Sequence, residues 1–434
     1  MQVSVEAKEG FERCMTVEVP AERVNEEVEK RLKKIARTAR MDGFRPGKVP
    51  LSVIRRRFDG QVRGEVFNEI LQSSYFEALR QENLQPVGDP RIEPMDKAPE
   101  EGIGYRATFE VMPEITLKEM GDAVIKRPVV EITESDIDEM IDKLRAQRQT
   151  WSEVERAAED GDQVRINFKG YIDDEPFEGG SAEDVPLVLG SGRMIEGFEE
   201  GLAGAKANEN RTLNLKFPDD YQAAHLAGKA ARFEVEITQV SKPELPEVDE
   251  EFIKMFGVSE GGIEAFRKDV RANMERELGQ RIDARVKEQA MEALLKANEI
   301  EVPRVLVEQE ADALKKRAEA QMNAGAPGQS DRELDREIFM DEAKRRVALG
   351  LIMTEVVKEG EIEVDADQVR EKVEQIAADY ESPEEVVKYY YGNKDQLAQV
   401  ENLVLEEKVV DWVLDRVKVE EEPATFAALT GAAG

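Results

Sequence analysis

The chain has 434 residues, 36% of them charged and only 6% aromatic, with a net charge of −33. A single cysteine, Cys14, and a single histidine, His225, exclude an internal disulfide, a thiolate or multi-histidine metal site and a Ser/His or Cys/His catalytic centre within one chain. At roughly 100–200 residues per domain the length predicts two to four units, of which three are expected.

Residues 1–112 read as a mixed α/β unit. Met15, Val17 and Val19 alternate as in a half-buried strand, and Tyr105, Ala107, Phe109 and Val111 do the same. Between them Val24, Val28, Leu32 and Ile35 mark one helical stripe and Val62, Val66 and Ile70 another, which predicts an antiparallel sheet backed by helices. From Lys30 to Arg63 there are twelve Lys/Arg against two acids, a basic island that suits phosphates or an acidic partner. At its centre Gly43-Phe44-Arg45-Pro46-Gly47-Lys48-Val49-Pro50 cannot be helical and predicts a loop presenting Phe44 between Arg45 and Lys48.

Residues 113–150 read as a linker, with a helix starting at Thr133–Asp136 and facing inward through Ile137, Ile141 and Leu144. Residues 151–242 change to short alternating strands with many glycines, VRINFKGYI, PLVLG, NRTLNLKF and ARFEVEITQV, and a short helix in MIEGFEEGLAG. His225 is expected in a solvated loop.

After the Pro-punctuated linker KPELPEVDE, residues 243–434 read as helical. Phe266, Val270, Met274, Leu278, Ile282, Val286, Ala290 and Leu294 recur every fourth position, so the stripe drifts about 40° per step around a straight helix. No single flat neighbour covers such a stripe, which is expected to stay partly exposed. Phe266, Val270, Met274 and Leu278 are therefore candidate contacts for unfolded polypeptide, with Met322 on the next helix. That helix starts at Val302-Pro303 and is expected to return antiparallel as a hairpin arm. Ser382-Pro383-Glu384-Glu385 predicts a capping box, and EEEPATFAALTGAAG a mobile tail. No basic leader with an apolar run and no stretch of about 18 apolar residues occurs, so a cytoplasmic protein is expected.

Asp162 to Val240 resembles the FKBP family of prolyl isomerases. The pieces come in the family's order: Val164 to Gly170 with NFKG, then Pro176 to Gly180, Leu187 to Gly190, Gly192 to Leu202, Pro218 to Tyr221 and Phe233 to Ile237. The resemblance implies a proline pocket of Phe168, Phe177, Met194, Phe198, Tyr221 and Phe233. Glu178 stands at the pocket rim where Asp is usual, and the Ile195 N–H would hold a substrate carbonyl. Phe168 replaces the usual Tyr and Phe198 the usual Trp. Rotating a prolyl bond needs no base, cofactor or metal, because a dry apolar pocket relatively favours the less dipolar twisted amide over the planar one.

The loop at Gly43–Pro50 matches the GFRxGKxP signature of trigger factors, bacterial ribosome-associated chaperones, and essentially the whole chain resembles that family. The resemblance implies a multidomain α+β fold: an N-terminal antiparallel sheet with helices, an FKBP-like β domain, and an all-helical C-terminal body with arms. It further implies that Gly43, Phe44, Arg45, Pro46, Gly47 and Lys48 dock beside the tunnel exit of the large ribosomal subunit, on ribosomal protein and RNA. The chain would hold nascent and unfolded polypeptides in a cradle while isomerising Xaa-Pro bonds, and a homodimer off the ribosome is also admitted. The alternative, a free-standing cytoplasmic prolyl isomerase without ribosome docking, leaves the basic loop and the long helix unexplained.

Overall fold

A computed structural model of the chain describes residues 1–39, 44, 48–95, 102–221, 223, 225–325, 334–378, 380 and 382–431. Two compact units are each assembled from distant segments: residues 1–127 with 284–421, and residues 128–283 with 422–434. The fold is mixed helix and sheet throughout. Among the described residues no helix is long and apolar enough to cross a membrane.

The chain opens with β1 (Gln2–Ala7), β2 (Glu12–Val19), α1 (Ala21–Thr38), α2 (Leu51–Gln81), β3 (Pro86–Pro94) and β4 (Ile103–Val111). The strands pair antiparallel in the order β1-β2-β4-β3. Met15, Val17 and Val19 of β2 and Tyr105, Ala107 and Phe109 of β4 form one core with Val24, Val28 and Leu32 of α1 and Val62, Val66 and Ile70 of α2. The two periodicities of the sequence, two along the strands and nearly four along the helices, thus meet in this core. The Tyr105 hydroxyl is buried with the Ser74 hydroxyl at 2.9 Å, which satisfies the polar end of the ring.

Next come β5 (Val124–Val129), α3 (Glu134–Gln147), β6 (Thr150–Glu153), β7 (Gln163–Ile172), β8 (Glu175–Val188), α4 (Phe198–Leu202), β9 (Glu209–Lys216) and β10 (Ala230–Glu244). Thr133 caps α3 as expected: its Oγ1 accepts the Asp136 N–H at 3.3 Å, and the Asp136 carboxylate accepts the Thr133 N–H at 2.8 Å. In the five-stranded sheet β10 pairs with β7, which pairs with β8, while β9 and β6 pair with successive stretches of β10. Asp162, just before β7, is buried. Its carboxylate accepts two N–H groups of Arg156 at 2.5 and 3.0 Å and the Glu159 N–H at 2.8 Å, and its carbonyl accepts the Leu189 N–H at 2.9 Å.

The remaining elements are α5 (Glu250–Met255), α6 (Gly262–Ala297), α7 (Arg304–Gly325), a 3-10 turn (Arg336–Phe339), α8 (Met340–Glu359), α9 (Ala366–Ala377), α10 (Pro383–Gly392), α11 (Lys394–Leu414), β11 (Lys418–Pro423) and α12 (Phe426–Thr430). Here several expectations are corrected. Phe266, Val270, Met274 and Leu278 of α6 are only 1 to 7% exposed, enclosed by Ile132, Ile137 and Ile141 around α3, Phe252 and Ile253 of α5, and Phe426 of α12. They are core and have no surface to offer a client. Over Phe266 to Leu278 the winding stripe is covered because several elements share one core with it.

The arm hairpin is also paired differently. Among the described residues the main partner of α7 is α8, on which it packs through Val307, Ala311 and Ala343. The GAPGQS segment between α7 and α8 falls largely outside the described residues. Residues 420–431 of the expected mobile tail are held in place: β11 pairs with β5, the Lys418 N–H donates to the Ala123 carbonyl at 3.2 Å, the Ala424 N–H to the Val129 carbonyl at 3.0 Å, and Phe426 is buried. Its Gly/Ala-rich composition hid one anchoring aromatic. The Ser382 side chain makes no cap, because the Glu385 N–H turns to the Ser382 carbonyl at 3.1 Å. β10 runs on to Glu244, three residues into the expected linker.

Two outcomes follow from this packing. Phe266→Ala should destabilise the unit holding α3 and α5 by about 3–5 kcal/mol, the usual loss for a buried Phe, seen as a lower denaturation midpoint; an unchanged midpoint would place Phe266 outside the core. Burial alone would raise the Asp162 carboxyl, but the Arg156 guanidinium and the Glu159 N–H hold it below the usual carboxylate range. A depressed folded value stabilises above the unfolded value near about 3.9 and is lost as pH falls through the folded one. Wild type should therefore exceed Asp162→Asn in stability most near neutral pH, and that margin should shrink in acid.

Candidate functional site

The aromatic residues of the middle domain converge. Phe168 on β7, Phe177 on β8, Phe198 at the start of α4 and Phe233 on β10 meet edge to face: Phe168 and Phe198 at 5.9 Å between ring centroids, Phe198 and Phe233 at 5.4 Å, Phe177 and Phe233 at 6.1 Å. A fifth ring, Phe217 just after β9, lies 5.9 Å from Phe177 and 6.3 Å from Phe233. Tyr221, 37% exposed, stands 4.8 Å from Phe217. Met194 and Ile195, half-buried, pack on the same cluster.

Close backbone approach makes room for the rings. A Cβ on Gly170 would lie 2.6 Å from Phe177 and 2.7 Å from Phe233, and one on Gly180 would lie 2.7 Å from Phe177. The glycines of the NFKG and EGG fragments therefore give Phe177 its seat. Glu178, the next residue, is exposed and outside the ring cluster.

The segment before α4 is held by a carboxylate. Glu199, 9% exposed, accepts the N–H groups of Gly192 at 3.1 Å, Arg193 at 2.9 Å and Met194 at 3.2 Å, and lies 3.2 Å from the Ser191 hydroxyl. Burial alone would raise its pKa, but these donors outweigh it and hold the carboxyl below its ordinary value. The Ile195 carbonyl accepts the Phe198 N–H at 3.0 Å, while the Ile195 N–H has no protein acceptor among the described residues. Beside Ile195 opens a cavity of about 450 Å³ lined by Asp160, Leu189, Gly190, Met194 and Gly197 among others.

Phe217 and Glu199 were not among the residues expected to act here. Phe217 is signalled only as an aromatic directly before Pro218. Glu199 is signalled only as an acid in the first turn of a short helix whose motif is read for its apolar positions.

The basic loop is partly described. Phe44 is 39% exposed and Lys48 is exposed, while Val49 is buried in the N-terminal core and anchors the exit of the loop. Gly43, Arg45, Pro46 and Gly47 lie outside the described residues. Among the described residues four cations of the island are ion-paired: Lys30 with Glu27, Arg31 with Glu69, Lys33 with Glu29 and Arg63 with Asp59. Arg55 and Arg56 line a groove between α1 and α2 with Asn25, Glu29 and Asp59. Met322, on α7, is 48% exposed.

Comparison with known proteins identifies the family. Residues 1–144 match the family described as bacterial trigger factor protein, residues 262–415 match its C-terminus, and residues 154–238 match the FKBP-type peptidyl-prolyl cis-trans isomerases. Trigger factor of Pseudomonas aeruginosa (strain LESB58) is 49% identical over 98% of this chain and 97% of its own. That of Thioalkalivibrio sulfidiphilus is 46% identical over 99% of this chain and 98% of its own. A solved structure of the trigger factor chaperone, 18% identical and covering 96% of this chain and 99% of that one, superposes with a TM-score of 0.47. The chain thus belongs to the trigger factor family and contains an FKBP-type peptidyl-prolyl isomerase domain.

Proposed function

We propose that this chaperone isomerises Xaa-Pro bonds on the ring cluster of Phe168, Phe177, Phe198, Phe217 and Phe233. The observation that carries the reading is an edge-to-face set of rings next to an uncommitted Ile195 N–H. A proline seated against the rings leaves water, and a twisted amide, having lost its resonance dipole, loses less on that transfer than a planar one. The Ile195 N–H accepts no proton and breaks no bond; it donates a hydrogen bond to a substrate carbonyl and fixes the peptide. Met194 and Tyr221 flank the ring cluster, and Tyr221 supplies a hydroxyl at its exposed edge. Glu178 has the role of a rim contact.

In the same proposal residues 1–112 dock on the large ribosomal subunit near the tunnel exit through Gly43, Phe44, Arg45, Pro46, Gly47 and Lys48, touching ribosomal protein and RNA. Residues 113–150 link this part to an isomerase domain at 151–242, and residues 243–434 serve as the chaperone body. Nascent and unfolded chains meet exposed apolar side chains of that body, of which Met322 is one. The setting is the cytoplasm. Off the ribosome a second copy of the chain would cover the same apolar surface as a homodimer.

Phe168→Ala and Phe233→Ala should each lower kcat/KM on a short Xaa-Pro peptide by about tenfold or more, a loss of roughly 1.4 kcal/mol or more of transition-state stabilisation. Circular dichroism should stay native-like; full activity in both variants would move the pocket elsewhere.

Replacing Phe44, Arg45 and Lys48 together by Ala should abolish co-sedimentation with ribosomes and leave peptide isomerisation intact. Wild-type binding should also weaken as salt rises, because phosphate contacts release counterions. Undiminished binding by the triple variant would remove the docking role.

A further inference from the structure

The residues that line the ring cluster do not explain why a nearly buried carboxylate sits behind it. Glu199 spends both oxygens on the backbone of the preceding segment. Oε2 takes the Gly192 N–H, and Oε1 takes those of Arg193 and Met194 with the Ser191 hydroxyl beside it. Three consecutive N–H groups thus converge on one anion, and the fourth in the series, that of Ile195, is left over. Gly192 sits at φ +66°, a left-handed conformation that a side chain would resist, and this turn points the N–H groups to a common side.

We propose that Glu199 is a positioning residue for isomerisation: by gathering the 192–194 backbone it fixes the direction of the Ile195 N–H toward the substrate carbonyl. The role rests on the reading of Ile195 given above. Glu199 itself touches no substrate. It is covalently placed to act, since Phe198, the preceding residue, is one of the cluster rings and its N–H is bonded to the Ile195 carbonyl. One carboxylate therefore couples the ring wall of α4 to the donor that faces the peptide. The anion is also matched to its place: hydrogen bonds to a charged acceptor are shorter and stronger than neutral ones, and burial keeps water from competing for it.

The Ile195 hydrogen bond is made to bound substrate both before and during rotation, so misdirecting it weakens binding in both states and appears in KM more than in kcat. The test uses the full chain and a short Xaa-Pro peptide. Glu199→Gln keeps the shape but removes the charge and turns one acceptor into a donor. We expect KM to rise about tenfold with little change in kcat, the effect of roughly one lost hydrogen bond. Amide hydrogen exchange should quicken over residues 192–195 while the sheet stays protected. Glu153→Gln, an exposed carboxylate of β6 with the same charge change, should match wild type in both measurements.

Glu199→Asp keeps the anion but draws it back by one methylene, and should show the same KM direction at smaller size; it carries the test if Glu199→Gln fails to fold. Unchanged KM overturns the positioning role, and so does a fall in activity without faster exchange at 192–195. A loss confined to kcat overturns it as well. Phe168→Ala and Phe233→Ala, measured alongside, separate the two readings: full activity in both removes the pocket and with it this role, whereas lost activity there with wild-type behaviour in Glu199→Gln removes only the role of Glu199.

Discussion

Helix α6 carries apolar residues at every fourth position, and a row with that spacing turns past any one neighbour within a few steps. Much of the C-terminal architecture answers this constraint. Over Phe266 to Leu278 the row is covered by α3, α5 and α12, drawn from three separate parts of the chain. Arg267 and Arg271 then bind Glu134 at 2.7 and 2.6 Å, which ties the polar flank of the same helix to the start of α3. Further along, Gln289 exchanges hydrogen bonds with the Lys126 backbone, Lys287 pairs with Glu406, and Asn298, just past the helix, accepts the Lys118 N–H. Each compact unit holds a part of α6, and each is therefore discontinuous in sequence.

The middle domain follows the opposite plan. Its sheet is made from strands that lie within one continuous stretch, and its ring cluster comes from β7, β8, α4, β10 and the end of β9. Rotating a prolyl bond asks for no proton transfer. Charged groups near the rings serve geometry. Arg156 and Asp162 fasten the entry to β7, and Glu199 fastens the segment before α4. Both carboxylates are held ionised by donors in spite of burial, which makes them anchors for backbone and unsuited to proton transfer.

Local pattern in the sequence was enough for many of the elements and for the rings that converge in the middle domain. The alternation at Met15, Val17 and Val19, the stripes of α1 and α2, the Thr133 cap and the aromatic fragments all reappear where they were expected, because each is a matter of neighbours along the chain. What was not legible depends on partners far away in sequence. The exposure of Phe266 to Leu278 could not be judged without Ile132 and Phe426, and the pairing of α7 with α8 could not be read from the stripe on α7 alone. Ser382 had the right neighbours for a capping box, and a competing backbone hydrogen bond took the N–H it would have used. Glu199 and Phe217 were hidden for a simpler reason: one residue each, with no repeat to reveal them.

The covering of Phe266 by Phe426 also orders events in time. A chain leaving the ribosome presents β7 to β10 as a contiguous set, free to pair as soon as β10 emerges. The core around α3 and the first turns of α6 has to wait for a residue made long afterwards, and until then Ile132, Ile137 and Phe266 lack one of their buried neighbours. A folding factor built in this way is, for part of its own synthesis, a polypeptide with uncovered apolar helices, and so a client for a finished copy of itself.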